Sequence, residues 1–172
     1  MSHKIKMRFL ISYVRLFWIF VIAPAGVHGQ YLAGEALDQQ ALDTQLMVCE
    51  NMAESSTIGG LLTPVDGQAI RGVWINLFAS WWSSCIAEVP HLEEIHNSRE
   101  AEGLRIISLG NDFRFYTCTE WANLGASYPI IDDRNTAIWS LFGNGAVPRN
   151  IIIDSEGIVR YNSIGFNETA IT

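Results

Sequence analysis

The two side chains most suited to chemistry are Cys85 and Glu88, a thiol and a carboxyl group three residues apart. A thiolate is the nucleophile of thiol-disulfide exchange, and a neighbouring carboxyl group can give or accept a proton. Dithiol sites usually place two cysteines three residues apart at the start of a helix, where the helix N-terminus lowers the pKa of the first thiol. Trp82 occupies that first position here, so the sequence offers one half of a dithiol pair.

A buried strand followed at once by an amphipathic helix is predicted to position this pair. Residues 73–79 are apolar apart from Asn76, as expected of a strand that is covered on both faces. Ser83 or Ser84 could cap the helix that follows. The inward face of this helix is predicted to contain four apolar residues at helical spacing, Ile86, Val89, Leu92 and Ile95.

The rest of the chain alternates between strand and helix patterns. A second strand, parallel to the first across a right-handed crossover, is predicted at 104–109. Asp66-Gly67 predicts a hairpin turn ahead of the first strand. The remaining predictions are helices at 117–124 and 136–142, a short strand at 128–131, and an antiparallel hairpin of 150–154 with 158–162. This order predicts an α/β fold with a central mixed sheet flanked by helices.

Three landmarks in this order resemble the TlpA/ResA-type thiol-disulfide oxidoreductases, an extracytoplasmic branch of the thioredoxin superfamily within the AhpC/TSA redoxins. They are Ser80-Trp81, the pattern Cys85-x-x-Glu88-x-Pro90, and the loop Gly145-Ala146-Val147-Pro148-Arg149-Asn150. The resemblance implies a thioredoxin-like fold over 59–172, with Pro148 in a cis peptide bond facing the helix. It also implies that the last helix of the family is truncated here, because the chain stops soon after 165–168.

The same resemblance implies roles for six side chains. Cys85 matches the resolving cysteine of the family and Glu88 matches a glutamate that tunes the cysteine pair, so these two are the predicted catalytic residues. The predicted substrate-binding residues lie at the helix start and in the proline loop, where relatives hold an extended peptide: Trp81, Trp82, Val147 and Pro148.

Four of these six residues also have other interpretations. Cys85 could be a small core residue, Glu88 a surface glutamate and Trp81 an ordinary core aromatic. An indole at an exposed helix start needs a cover, so Trp82 either fills the former substrate groove or anchors a partner. A recent replacement of cysteine is a third interpretation of Trp82.

Three functions are compatible with these residues. The first is an extracytoplasmic thiol-disulfide oxidoreductase, acting on protein thiols and disulfides, whose dithiol exchange is impaired because Trp82 can neither attack nor resolve a disulfide. The second is a non-catalytic module that binds an extended peptide or a partner protein. The third is a one-cysteine peroxidase of peroxiredoxin type. The sequence disfavours it, because Trp82 and Phe78 stand near the positions of that motif's threonine and proline.

Cys49, Cys85 and Cys118 are an odd number of cysteines, so at least one of them is not paired within the chain. Cys49–Cys118 is the favoured disulfide, whereas a Cys85–Cys118 pair would indicate a rearranged redox site. The cysteine spacing fits no metal motif, and His91 and His96 are predicted to face solvent on the helix. We therefore predict no metal site and no bound cofactor.

Residues 1–29 have the pattern of a secretory signal peptide or an N-terminal anchor, with basic residues, an apolar run and then small residues. Without them, seven basic residues face 18 acidic ones, a net charge of −11. Such a chain repels phosphate backbones, which excludes nucleic-acid binding, and membrane contact is expected only if the segment is retained. Residues 30–58 are predicted to be a separate N-terminal segment with one helix at 39–52.

Overall fold

The computed structural model describes residues 29–52, 56–111 and 118–167. None of the helices in these ranges is long and apolar enough to cross a membrane. The predicted signal segment lies almost entirely outside the described residues. The expected truncation of the last helix concerns residues 168–172, which also lie outside them.

The described residues form short elements at the N-terminal side and longer ones around a central sheet. The helices are α1 (Gln39–Leu42), α2 (Ile58–Leu61), α3 (Ser83–Arg99), α4 (Cys118–Ala122) and α5 (Trp139–Phe142). The strands are β1 (Gln45–Leu46), β2 (Val48–Glu50), β3 (Ser56–Thr57), β4 (Gly72–Phe78), β5 (Leu104–Gly110), β6 (Ile130–Asp132), β7 (Arg149–Asp154) and β8 (Val159–Ile164).

Six of these strands form a mixed sheet in the order β2-β6-β5-β4-β7-β8. Strand β4 pairs in parallel with β5, and β5 pairs in parallel with β6. Strands β7 and β2 run antiparallel to their neighbours β4 and β6. The predicted mixed sheet and the predicted C-terminal hairpin, formed by β7 and β8, are therefore confirmed.

All seven residues of the central strand β4 are buried. Its register places Asn76 opposite Ser108 on β5 and opposite Asn150 on β7. Side chains at paired positions of neighbouring strands share one face of a sheet, so three polar residues form a row across the sheet interior. A buried polar row requires hydrogen-bond partners, and these are found in the candidate site.

The prediction of one helix at 39–52 is wrong. Helix α1 begins after Asp38, whose carboxylate accepts a hydrogen bond from Ala41 N–H at 2.8 Å, and it ends at Leu42. The chain then becomes extended, and β2 adds an edge strand beside β6. Pairing with the sheet overrides local helix propensity here. The Asp66-Gly67 hairpin is reduced to one isolated bridge, between Val65 and Gln68.

Helix α3 also departs from its prediction. It begins at Ser83, and Trp82 takes the N-cap position without a side-chain hydrogen bond, so the predicted serine cap is wrong. Ile86 is 40% exposed, because the inward face is rotated from the predicted one. The residues that face the sheet and are buried are Cys85, Glu88, Val89, Leu92 and His96. The prediction of a solvent-facing His96 is therefore wrong, whereas His91 is exposed as predicted.

Candidate functional site

Cys85 lies in the first turn of α3 and is 2% exposed. Its Sγ accepts a hydrogen bond from the backbone N–H of Ala79 at 3.5 Å. The side chain belongs to an apolar cluster with Phe78, Trp121 and Ile130. The thiol thus lies beside a helix N-terminus, which favours a thiolate, but inside an apolar layer that solvent does not reach directly.

Glu88 lies one turn further along α3 and is also buried, so the interpretation as a surface glutamate is wrong. Its Oε2 accepts hydrogen bonds from two side-chain amides, Asn76 Nδ2 at 3.0 Å and Asn150 Nδ2 at 3.2 Å. Burial raises the pKa of the Glu88 carboxyl group above its usual value, because burial disfavours the charged form. The two amide donors and the nearby His91 oppose this rise without cancelling it.

A wider polar network fixes the orientation of these amides. Asn150 Oδ1 accepts hydrogen bonds from Trp74 Nε1 at 2.8 Å and from Asn76 Nδ2 at 3.0 Å. Ser108 Oγ donates to Asn76 Oδ1 at 3.2 Å. Ser108 is also hydrogen-bonded to Tyr128, whose pKa burial raises to about 12. Because each amide oxygen is occupied by a donor, the amide nitrogens of Asn76 and Asn150 are oriented so that each donates to the Glu88 carboxylate.

The proline loop contacts both the apolar cluster around Cys85 and the polar network around Glu88. The Val147–Pro148 peptide bond is cis, as the sequence predicts. Val147 packs against the apolar cluster around Cys85. Pro148 is buried, and its carbonyl oxygen accepts a hydrogen bond from Gly165 N–H at 2.8 Å. Asn150, two residues further, is the amide that contacts Glu88.

Two exposed indoles mark the outer side of the site. Trp81 is 54% exposed and Trp82 is 46% exposed, and their rings meet edge to face with centroids 5.6 Å apart. The interpretation of Trp81 as a core aromatic is therefore wrong. Together with the exposed Ile86 they present apolar surface at the start of α3.

The favoured pairing of cysteines is confirmed, because Cys49 and Cys118 form a disulfide between β2 and α4. Both residues are half-buried, and a carboxylate oxygen of Asp132 lies within 4.8 Å of their sulfurs. A metal ion would need these cysteines as thiolates, whereas here the sulfurs are bonded to each other. The cluster in this state is a disulfide beside a carboxylate.

The sequence predicts a site at Cys85, Glu88 and the proline loop, but it does not reveal the amide partners of the carboxylate. Asn76 did carry a signal, since it is the one polar residue in an otherwise apolar strand. Asn150 carried less, because an asparagine at the start of a strand is unremarkable in a sequence. A cavity of about 260 Å³ lies at the other end of α3, lined partly by Arg71, Arg99 and Phe166. Neither Cys85 nor Glu88 lines this cavity, so the cavity does not support the candidate redox site.

The mixed sheet, the thiol in the first turn of α3 and the cis-proline loop together define a thioredoxin-like protein. Residues 52–171 match the Redoxin family model, and this chain belongs to the Redoxin family.

Curated relatives and solved structures agree with this assignment. The chain is 26% identical over 113 residues to thiol-disulfide oxidoreductase ResA of Bacillus thuringiensis, covering 61% of this chain and 65% of that protein. It is 29% identical over 141 residues to protein DipZ of Mycobacterium bovis, covering 74% of this chain and 20% of DipZ. The thioredoxin domain of a thiol-disulfide oxidoreductase from Bacteroides vulgatus superposes with a TM-score of 0.61 at 15% identity, covering 80% of this chain and 91% of that domain. The chain thus spans just under two thirds of its ResA relative.

Proposed function

We propose that this protein is an extracytoplasmic redoxin of the thiol-disulfide oxidoreductase type whose dithiol exchange is impaired. One observation carries the proposal. Trp82 stands at the N-cap of α3, where a dithiol site has its first thiol, whereas the thiol of Cys85 is kept in the first turn. The buried Glu88 and the cis-Pro148 loop complete the inner side of the site.

A complete exchange with a substrate disulfide needs one thiolate to attack and a second thiol to resolve the mixed disulfide. Cys85 can perform only one of these steps in a cycle. The Ala79 N–H and the start of α3 would stabilise its thiolate. Glu88, on the same buried face, holds its proton to a higher pH than an ordinary carboxyl group and could supply it to a departing thiolate. The partners we propose are protein thiols and disulfides.

The disulfide supports the proposed location. Cys49–Cys118 is a bond that forms and persists in oxidising compartments and is rare in the cytosol. The signal-like pattern of residues 1–29 points the same way. We therefore place the folded part of the chain outside the cytoplasm, either secreted or held by its N-terminal segment.

The test is the reduction of insulin disulfides by dithiothreitol in the presence of the protein. Wild type should accelerate the reaction little. Trp82→Cys should accelerate it by on the order of 100-fold relative to wild type, because a second thiol then resolves the mixed disulfide within the chain.

Two matched variants distinguish the effect of a thiol pair from the effects of removing the indole or adding a single outer thiol. Trp82→Ser opens the helix start without adding a thiol and should remain slow. The double variant Trp82→Cys, Cys85→Ser supplies an outer thiol without a resolving one and should also remain slow. A wild type as fast as Trp82→Cys would contradict the proposed impairment. A Trp82→Cys variant as slow as Trp82→Ser would contradict the proposal that Cys85 can still act as a resolving thiol.

A second candidate function rests on the two exposed indoles. Trp81 and Trp82 present apolar surface at the helix start, as expected of a module that binds an extended peptide without electron transfer. Binding of reduced and carboxymethylated insulin B chain, measured by isothermal titration calorimetry, tests it with a ligand that has no thiol. Binding that persists in Cys85→Ser and is lost in Trp81→Ala and Trp82→Ala supports the binding module. No binding by wild type would exclude it for this class of ligand.

A further inference from the structure

The three cysteines of the chain pack on one apolar cluster. The buried members of this cluster are Cys85, Phe78, Trp121 and Ile130. Both half-cystines, Cys49 and Cys118, pack against it and are half-buried. A buried thiol and a half-buried disulfide therefore share one packed layer between α3, α4 and the sheet.

The two half-cystines differ in how they meet this layer. Cys118 lies three residues before Trp121 on α4, and residues at this spacing share one face of a helix. Trp121 packs edge to face on Phe78 with ring centroids 5.3 Å apart. Helix α4 thus turns its Cys118 face toward the layer that contains Cys85. Cys49 lies instead on β2, the outermost strand of the sheet.

We propose that the Cys85 thiolate exchanges with the Cys49–Cys118 disulfide within the chain, by attack on Cys118. The proposal rests on the proposed function in one respect, the assignment of Cys85 as a thiol that can ionise. A Cys85–Cys118 bond forms, the Cys49–Cys118 bond breaks, and its electron pair leaves on Cys49 Sγ. Cys49 takes up a proton in place of the one that Cys85 lost. The number of thiols and disulfides is unchanged, so the step needs no oxidant or reductant.

The exchange moves the reactive thiol outward. Before it, the thiol is on Cys85, which is buried; after it, the thiol is on Cys49, which is half-buried at the sheet edge. A thiol at the edge can meet the disulfide of an external protein, which a thiol under the apolar layer cannot do directly. Asp132 beside the sulfurs is ion-paired with Arg134, which offsets the repulsion between its carboxylate and a leaving thiolate.

The experiment uses the full chain in its oxidised state, held at mildly alkaline pH without reductant. N-ethylmaleimide then blocks the thiols, and the unreduced protein is cleaved after arginine. Arginines at positions 71, 99, 114 and 134 place the three cysteines on three different peptides. We expect a population with a Cys85–Cys118 disulfide and maleimide on Cys49, and we expect the loss of maleimide on Cys49 in Cys85→Ser.

A matched pair of variants tests the choice of sulfur, with oxidised glutathione as the oxidant. Cys49→Ser leaves Cys85 with Cys118, and this variant should form their disulfide. Cys118→Ser leaves Cys85 with Cys49, and this variant should retain glutathione adducts instead. Circular dichroism establishes that both variants fold, and the wild-type measurement does not depend on them.

Absence of a Cys85–Cys118 disulfide from both wild type and Cys49→Ser would overturn the proposal. Equal yields of disulfide in the two variants would overturn the choice of Cys118. The insulin assay on Trp82→Cys decides the proposed function separately, because the thiol pair in that variant uses neither Cys49 nor Cys118.

Discussion

The outer and inner halves of the candidate site differ in how firmly the fold holds them. The outer half, Trp81 and Trp82, is about half exposed, and its two rings contact each other. The inner half, Cys85, Glu88 and Pro148, is buried and contacts elements on both sides of the central strand. The chain departs from the dithiol pattern in the outer half alone.

Under the proposed function, this contrast accounts for a redoxin fold that carries tryptophan at the position of the first thiol. Substitutions at exposed positions usually change the free energy of unfolding by less than about 0.5 kcal/mol, whereas buried polar networks are sensitive to the loss of any member. We therefore expect the fold to accommodate either tryptophan or cysteine at the exposed position 82. The predictions below test whether the two halves respond as differently as this account requires.

Among substitutions within the candidate site, the largest effect on stability is expected from Asn150→Ala. The substitution removes the acceptor of the buried Trp74 N–H and one donor to Glu88. Leaving buried polar groups without partners should lower the free energy of unfolding by about 2–3 kcal/mol. Urea denaturation measures this loss. Asn97→Ala, an exposed change on α3, is the matched control and should have little effect. Equal losses in the two variants would show that the network is not what holds the inner half.

A smaller and pH-dependent effect is expected from Glu88→Gln. The pKa of Glu88 is raised in the folded protein, so between the unfolded and folded pKa values the folded state binds more protons than the unfolded state. Wild type should therefore lose stability as the pH rises above about 4.3, the pKa of an exposed glutamate, until it passes the folded pKa. The glutamine variant lacks this loss.

Urea denaturation of both proteins between mildly acidic and neutral pH provides the measurement. The stability of Glu88→Gln relative to wild type should increase with pH across that window. Glu94→Gln, an exposed change on the same helix, is the matched control. A Glu88→Gln variant whose relative stability falls with pH would mean that the amide donors outweigh burial.

The smallest effect on stability is expected from Trp81→Ala. Its indole is more than half exposed, so the free energy of unfolding should change by no more than about 0.5 kcal/mol. Truncation of a buried tryptophan such as Trp139 should cost about 3–5 kcal/mol by comparison. Thermal unfolding of the two variants sharpens the contrast. A large loss of stability in Trp81→Ala would place the outer half within the core.

The sequence predicted the positions of the central elements well, because a continuous apolar run indicates a strand that is covered on both faces. The apolar run of β4 and the amphipathic pattern after it located the strand-helix unit within one or two residues. The proline loop was predicted by resemblance, since a cis bond has no signature in composition. The edge strand β2 was missed, because three residues that pair only with a distant strand leave no local pattern.

The interior of the site was harder to predict. Glu88 was expected to be either catalytic or on the surface, and burial of a carboxylate is predictable only once its amide partners are known. Those partners come from β4 and β7, which are more than 70 residues apart in sequence and are brought together by the register of the sheet. Periodicity within one helix cannot reveal such partners.

The most direct test of the central claim, that the site lacks only its outer thiol, is the redox state of Trp82→Cys. Residues three apart at a helix start are neighbours on the helix surface, so cysteines at positions 82 and 85 would have the spacing of a dithiol site. After oxidation with glutathione, mass spectrometry should find position 82 bonded to Cys85 beside an intact Cys49–Cys118 bond, with no thiol left to label. If Cys85 remains a thiol, the inner half is no longer a redox site and the account is contradicted.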